Sequence, residues 1–412
     1  MPPLPRRRDL LKTMLVAGVA APVAGHASIS VSERGIPGNG ETPVTEPLQA
    51  LLDEVAAAGG GTVLLPPGRY ILEKTLLMPS RVQLLGQGPA TVLTGSRPDG
   101  VHGYALLANR GILDAEGYSG AQGFSVCNLA IDSPRTNGIV LVHAKDAYFS
   151  QIHGVDAHHH HFDIAGSQNI VTENLFLTGR SGTAPYQIDG SPFNNNIWDG
   201  EANIAPLRDE TPNDGIFLSN SVIRPTNRPN HGVHLHRQGG RNICISNVLI
   251  EHVQNGVYRD ADCGRQQVLF NNVIIRDVSH RALNFRPTAT PDKQVAFSNC
   301  VMTQLGGGTG VEYHGCSDLR ITQSSVELEG GSQPLELNDV DMLRLEGLTL
   351  HGNGEGAAVT MRRCKNALLS GVMARHTAGA VQLEACSNIE YSGLMALDAD
   401  GAPQPTKVTG AE

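Results

Sequence analysis

Six short segments recur in one register: His161-Phe162-Asp163-Ile164-Ala165, Pro185-Tyr186-Gln187-Ile188-Asp189, Gly232-Val233-His234-Leu235-His236, Gly256-Val257-Tyr258-Arg259-Asp260, Ala282-Leu283-Asn284-Phe285-Arg286 and Gly310-Val311-Glu312-Tyr313-His314. Each reads small or polar, apolar, polar, mostly apolar, polar, the period-2 signature of a strand with one buried face. Stacked in register, they form two outward columns. One is Asp163, Gln187, His234, Tyr258, Asn284 and Glu312; the other is Ala165, Asp189, His236, Asp260, Arg286 and His314. Phe162, Ile164, Ile188, Leu235, Phe285, Leu337 and Leu383 point in.

A second repeat frames the first. Asparagine followed by apolar positions recurs at Asn128, Asn174, Asn220, Asn247, Asn272 and Asn299, and Ser325, Gly347, Gly371 and Gly393 take the same place later. Asparagine tolerates a left-handed turn and can hydrogen-bond its copy in the next coil, so this is a structural ladder. The period of about 22 to 28 residues, with two intervals of 46, leaves no amphipathic helix between strands. That excludes Rossmann and barrel alternation, and the leucine-rich pattern is missing. The fold expected is all-β: a single right-handed parallel β-helix of about ten rungs.

The chain divides into a leader over 1–27, a capping module with the first rung over 28–96, the β-helix over 97–398 and a loose tail over 399–412. Arg7-Arg8-Asp9-Leu10-Leu11-Lys12 matches a twin-arginine signal, with an apolar run from Thr13 to Val23 behind it and Gly25-His26-Ala27 as a cleavage site. That predicts a periplasmic or secreted protein with no membrane association once the signal is removed. Thr45 to Ala58 has helical apolar spacing and stops at Gly59-Gly60-Gly61, a short helix placed to cover the open end of the core. Net charge is -9 with no basic run beyond the N-terminus, which argues against a nucleic-acid partner. Of seven cysteines, Cys316, Cys364 and Cys386 fall at one position after their strands. They read as an interior ladder, with a Cys364–Cys386 disulfide as the alternative.

Leu48 through Gly88, with AAAGGGTVLLPPGRYIL and VQLLGQG, resembles the opening of the pectate-lyase-like and glycoside-hydrolase-28-like right-handed β-helix proteins, which include mannuronan C5-epimerases and many tail-spike depolymerases. The resemblance implies the fold and is silent on the reaction, since lyases, hydrolases, epimerases and binding proteins share that opening. HFDIAGSQNI is also similar to the strand on which mannuronan epimerases carry Tyr-Gly-Phe-Asp-Pro-His. Phe162 and Asp163 match, but His160 and Ala165 replace the tyrosine and histidine, so only Asp163 carries over. The polygalacturonase motifs Asn-Thr-Asp, Asp-Asp and Arg-Ile-Lys are missing.

The columns themselves suggest the chemistry. His234, His236 and Tyr258 lie on adjacent rungs, and a tyrosine can act as a base when a nearby cation lowers its pKa. Arg286 can hold a carboxylate. These are the parts of a β-elimination on a uronate-containing polysaccharide, with Tyr258 and His234 as base and acid, Arg286 and Asn284 on the carboxylate, and Asp260 and Asp189 orienting. His236 would support one of them. Asp163, Gln187, Glu312 and His314 extend the binding face, and His161 heads a column of small residues that would make a smooth floor. Trp198, in a loop over 190–214 with Asp199, Glu201, Arg208 and Asp209, either stacks on a sugar or anchors the loop. Arg224 and Arg228 are expected near the same groove.

An inverting hydrolase is the alternative. Asp189 and Asp260, two rungs apart, should have Cα atoms about 9.6 Å apart, near the roughly 6.5–9.5 Å between carboxyls that such enzymes use. A C5-epimerase or a non-catalytic glycan-binding β-helix completes the range. No residue is assigned to a metal, since His158 to His161 alternate in direction. No cofactor is required; calcium on Asp163, Asp189, Asp260 and Asp262 stays open, as does the oligomeric state.

Overall fold

The computed structural model describes residues 28–95, 105–112, 114–190, 209–236, 240–261, 264–331, 333–406 and 408–410. The leader over 1–27, Trp198, Asp199, Glu201, Arg208 and Asp262 lie outside the described residues.

Among the described residues, strands make up 61% and wind into a parallel solenoid of about 14 turns, with one α-helix. The count of ten falls short for two reasons. Coiling begins in the N-terminal module, where Ser28–Ser30 pairs with Gly61–Leu64 and that strand with Val82–Leu85. The first 46-residue interval also hides a whole coil, because Leu129 pairs with Ile152 and His153 with Phe176. Gln151 holds the turn there at φ 55° in place of asparagine. The second long interval is a single coil with an insertion, since Phe176 pairs directly with Val222.

The asparagine ladder sits where expected. Asn128, Asn174, Asn220, Asn247, Asn272 and Asn299 all have φ between 50° and 59°. Asn247 donates to Asn220 at 3.0 Å and Asn272 to Asn247 at 2.8 Å. One later position is corrected: Gln323, at φ 50°, holds the left-handed turn assigned to Ser325.

Helix α1, Thr45–Ala57, buries Leu48, Leu51, Leu52 and Val55 over the first coil. Burying such side chains is worth about 1.5–3 kcal/mol each. It also satisfies the strand edge beneath it, since Gln49 donates to Leu77 O at 2.9 Å and accepts from Leu77 N at 2.8 Å. Gly60, at φ 112°, ends the helix where a Cβ would meet Arg81 O at 2.4 Å.

At the other end, Val408 pairs with Val381 and Thr409 with Gln382. The six cysteines among the described residues are free. Cys316 stacks on Val340, and Cys364 N lies 3.4 Å from Cys386 Sγ on the next coil, so the ladder is mixed and thiol-bearing.

Candidate functional site

The first column forms in full. Asp163 pairs with Gln187, Gln187 with His234, His234 with Tyr258, Tyr258 with Asn284 and Asn284 with Glu312. The second follows beside it. Ala165 pairs with Asp189, and His236 N donates to Ile188 O, Asp260 N to Leu235 O and Arg286 N to Arg259 O. His314 lies further along, in register with Asn338.

Hydrogen bonds and ion-pair contacts then link the two columns into one polar chain. Gln187 Nε2 donates to Asp163 at 3.2 Å and lies 3.4 Å from Asp189. Asp189 also accepts from Gly190 N at 2.7 Å and faces His236 Nδ1 at 3.2 Å. His236 Nε2 faces Asp260 at 3.1 Å, and His234 Nε2 lies 3.4 Å from the other oxygen of Asp260. The outer end of this chain reaches solvent, with the side chains of His236 and Asp260 24% and 22% exposed against 5% for Asp189. Asp189 is therefore an anchor under the surface.

His234 is 6% exposed, and both its ring nitrogens are buried without a hydrogen-bond partner. Burial pushes its pKa down. Burial would raise Asp260, but contact with His234 and the potential of His234, His236 and His231 outweigh it and hold the carboxyl below its usual range. Tyr258 moves the other way. Burial and then Asp260 raise it, and the opposing charge of Arg286 is too weak to reverse this, contrary to the expected lowering by a cation.

A third column escaped the sequence reading: His231, Asn255 and Arg281 stand in register just before the small residue of each segment. His231 stacks on Tyr258 at 4.1 Å and 10°. Burial, then the charge of His234, takes His231 down to about 3. Asn284 turns sideways to donate to Asn255 at 3.0 Å, so it does not reach toward a carboxylate. Arg281 and His314 each meet Glu312 at 2.7 Å. The recurring polar residue ahead of the small residue in these three segments was the available signal.

The interior also acts on the site. Arg259 and Arg265 are fully buried. Arg259 donates to the carbonyls of Asp260 at 3.2 Å and His314 at 2.6 Å, and Arg265 to that of His236 at 3.0 Å. Asp292 balances them, 3.2 Å from Arg259 Nε and 2.7 Å from Arg265 N. Two buried cations thus fix the backbone of three outward residues.

Two expectations are corrected. His161 is 1% exposed, and a Cβ on Gly154 would lie 2.5 Å from its ring, so it packs inside the coil. The small-residue column is no floor either. Cβ atoms on Gly232 and Gly256 would strike Ile250 and Ile275, each at 2.3 Å, because these positions face the core at a corner of the coil. Arg224 and Arg228 pair with Glu251 at 3.0 Å and Asp277 at 2.7 Å, not with the columns.

Among the described residues, Gln187 lies between Asp163 and Asp189, and His236 between Asp189 and Asp260, so these three acids do not meet one another directly. Among the described residues, the one group of three ligand-bearing side chains is His234, His236 and Asp260, whose donor atoms lie within 4.8 Å of one another.

Residues 28–198 match the family described as rhamnogalacturonase A/epimerase, pectate lyase-like. No curated protein matches the sequence. Solved structures of similar fold include the A-module of the Azotobacter vinelandii mannuronan C-5 epimerase AlgE6, at 15% identity, covering 91% of this chain and 100% of that one with a TM-score of 0.53. The Streptococcus pneumoniae surface protein and adhesin PfbA is 13% identical, covers 93% and 99%, and has a TM-score of 0.63. Bacteriophage CBA120 tailspike protein 3 is 10% identical, covers 96% and 69%, and has a TM-score of 0.58. At these identities the likeness is one of fold, the parallel β-helix.

Proposed function

We propose that this pectate-lyase-like β-helix protein is an exported enzyme that cleaves a uronate-containing polysaccharide by β-elimination. The observation that carries the reading is that Tyr258 has Asp260 just past the end of its own strand and Arg286 on the next coil, both near enough to act on its charge, beside the polar chain. Arg286 is exposed, and its charge acts on both Tyr258 and Glu312. It would neutralise the uronate carboxylate and so acidify the adjacent C–H.

As the phenolate, populated once Arg286 and the bound substrate offset the Asp260 charge, Tyr258 would take that proton and then, as the phenol, give it to the departing glycosidic oxygen as the C–O bond breaks. The products are an unsaturated uronate at one new end and a hydroxyl at the other, and the tyrosine is regenerated. His234, Asp189 and Asn284 are positioning residues, because burial keeps them from the polymer. Asp163 and Gln187 brace the same chain.

The inverting-hydrolase alternative fits less well. His236 fills the space between Asp189 and Asp260, where such an enzyme needs sugar and water. Asp189 has both carboxyl oxygens engaged. The test is incubation of the purified chain with a panel of acidic and neutral polysaccharides. A rise in the ultraviolet absorbance of an unsaturated uronate is expected. New reducing ends without that absorbance would make the protein a hydrolase; binding with neither signal would make it a glycan-binding β-helix.

A further inference from the structure

The chain Asp189–His236–Asp260–His234 has a second property, separate from any polymer. Three donors of mixed type converge at its outer end: His236 Nε2 is 3.1 Å from Asp260 Oδ2, and His234 Nε2 is 3.4 Å from Asp260 Oδ1. Ligands about 2.0–2.1 Å from a tetrahedral ion lie about 3.3 Å from one another. The site is already near that spacing, with all three donor atoms inside 4.8 Å.

Two further features point to an ion. His234, 6% exposed, has its Nε2 buried and aimed at this cluster, with Asp260 Oδ1 at 3.4 Å but out of hydrogen-bond geometry, so an ion there would satisfy it better. His236 is prepared from behind, because Asp189 faces its Nδ1 at 3.2 Å and so turns the Nε2 lone pair outward. Carboxylate–imidazole–metal arrays are built this way.

We propose that His234, His236 and Asp260 bind a divalent transition metal ion of the zinc, cobalt or nickel class, with Asp189 orienting His236. Two imidazoles and one carboxylate suit such ions and not calcium or magnesium, which take oxygen. Three protein ligands leave a fourth position open. It faces solvent, because His236 and Asp260 are the exposed members. If the uronate reading holds, the ion meets the substrate carboxylate there and offsets the Asp260 charge beside Tyr258; binding of the ion does not depend on that reading.

The test is titration of the chelator-treated full-length chain with cobalt(II), with no polymer present, followed by its visible absorption. One equivalent with an intense tetrahedral spectrum and no thiolate charge-transfer band is expected. His234→Ala and His236→Ala should abolish it, Asp260→Asn should weaken it strongly, and Asp189→Asn should weaken it about 10–100-fold. His314→Ala, outside the cluster, should bind as the parent does. Circular dichroism of the metal-free variants checks that each is folded. Saturation that survives in both histidine variants overturns the proposal, as does a thiolate spectrum or loss of binding on replacing His158 and His159 instead. A chain that binds cobalt as described yet cleaves nothing sinks the lyase reading and leaves the metal site standing.

Discussion

Arg259 and Asp292 meet inside the solenoid, Nε to Oδ2 at 3.2 Å, with both side chains sealed from water. Arg259 occupies an inward position between Leu235 and Phe285, where its guanidinium carbon lies 5.5 Å from the Phe285 ring centroid. Tyr313 donates to Asp292 at 2.6 Å and completes the cluster. Breaking such a pair from one side strands a buried charge, so Arg259→Met should cost about 3–5 kcal/mol. Arg259→Met combined with Asp292→Leu should recover a good part of that loss. Urea denaturation of the three chains measures it, and equal loss in single and double variants would show that the pair is not coupled.

At Asn272 the side chain serves two purposes, a left-handed φ of 54° and a bond to Asn247. Alanine loses both, at roughly 1–2 kcal/mol for the backbone and about 1 kcal/mol for the hydrogen bond. Glycine loses only the second. Denaturation midpoints should therefore fall in the order parent, Asn272→Gly, Asn272→Ala, and a reversed order of the two variants would contradict the ladder's backbone role.

The columns were legible because period-2 alternation fixes which side chains share a face, and six copies fix the register. What failed was any inference that assumed strict alternation through a corner. Gly232 and Val233 both face inward, which turned an expected floor into core and put His161 inside with it. Arg259 was unreadable for another reason: an arginine at an apolar position has meaning only beside Asp292, which lies on a different face of a later coil. The hidden coil at Gln151 was missed because a left-handed turn constrains the backbone, and glutamine can meet that demand without the asparagine signature.

Asp209 lies just ahead of the strand Asp214–Ile223. It accepts from Gly117 N at 2.7 Å and Thr211 N at 3.0 Å, as well as from the Thr211 hydroxyl. Burial would raise its pKa, but these bonds and His143 bring it down to about 2. A carboxyl depressed on folding contributes stability above its unfolded pKa of about 3.9, and that contribution disappears as pH falls toward the folded value. The parent should thus lose stability between about pH 5 and pH 2 more steeply than Asp209→Asn. Thermal unfolding across that range decides it, and parallel pH profiles would count against the assignment.

Tyr258 and Arg286 separate the lyase reading from a surface that only binds. Tyr258→Phe removes one oxygen from a half-buried ring that stacks on His231, so fold and stacking should persist while turnover falls by at least 1,000-fold, about 4 kcal/mol in the barrier. Arg286→Ala should raise KM and lower kcat together, because the carboxylate contact strengthens as charge develops in the transition state. Loss of both, with unchanged circular dichroism, is the expected pattern. If Tyr258→Phe keeps its rate while Arg286→Ala loses only affinity, the phenol is a wall of the groove, and the proton is moved by another group on this face.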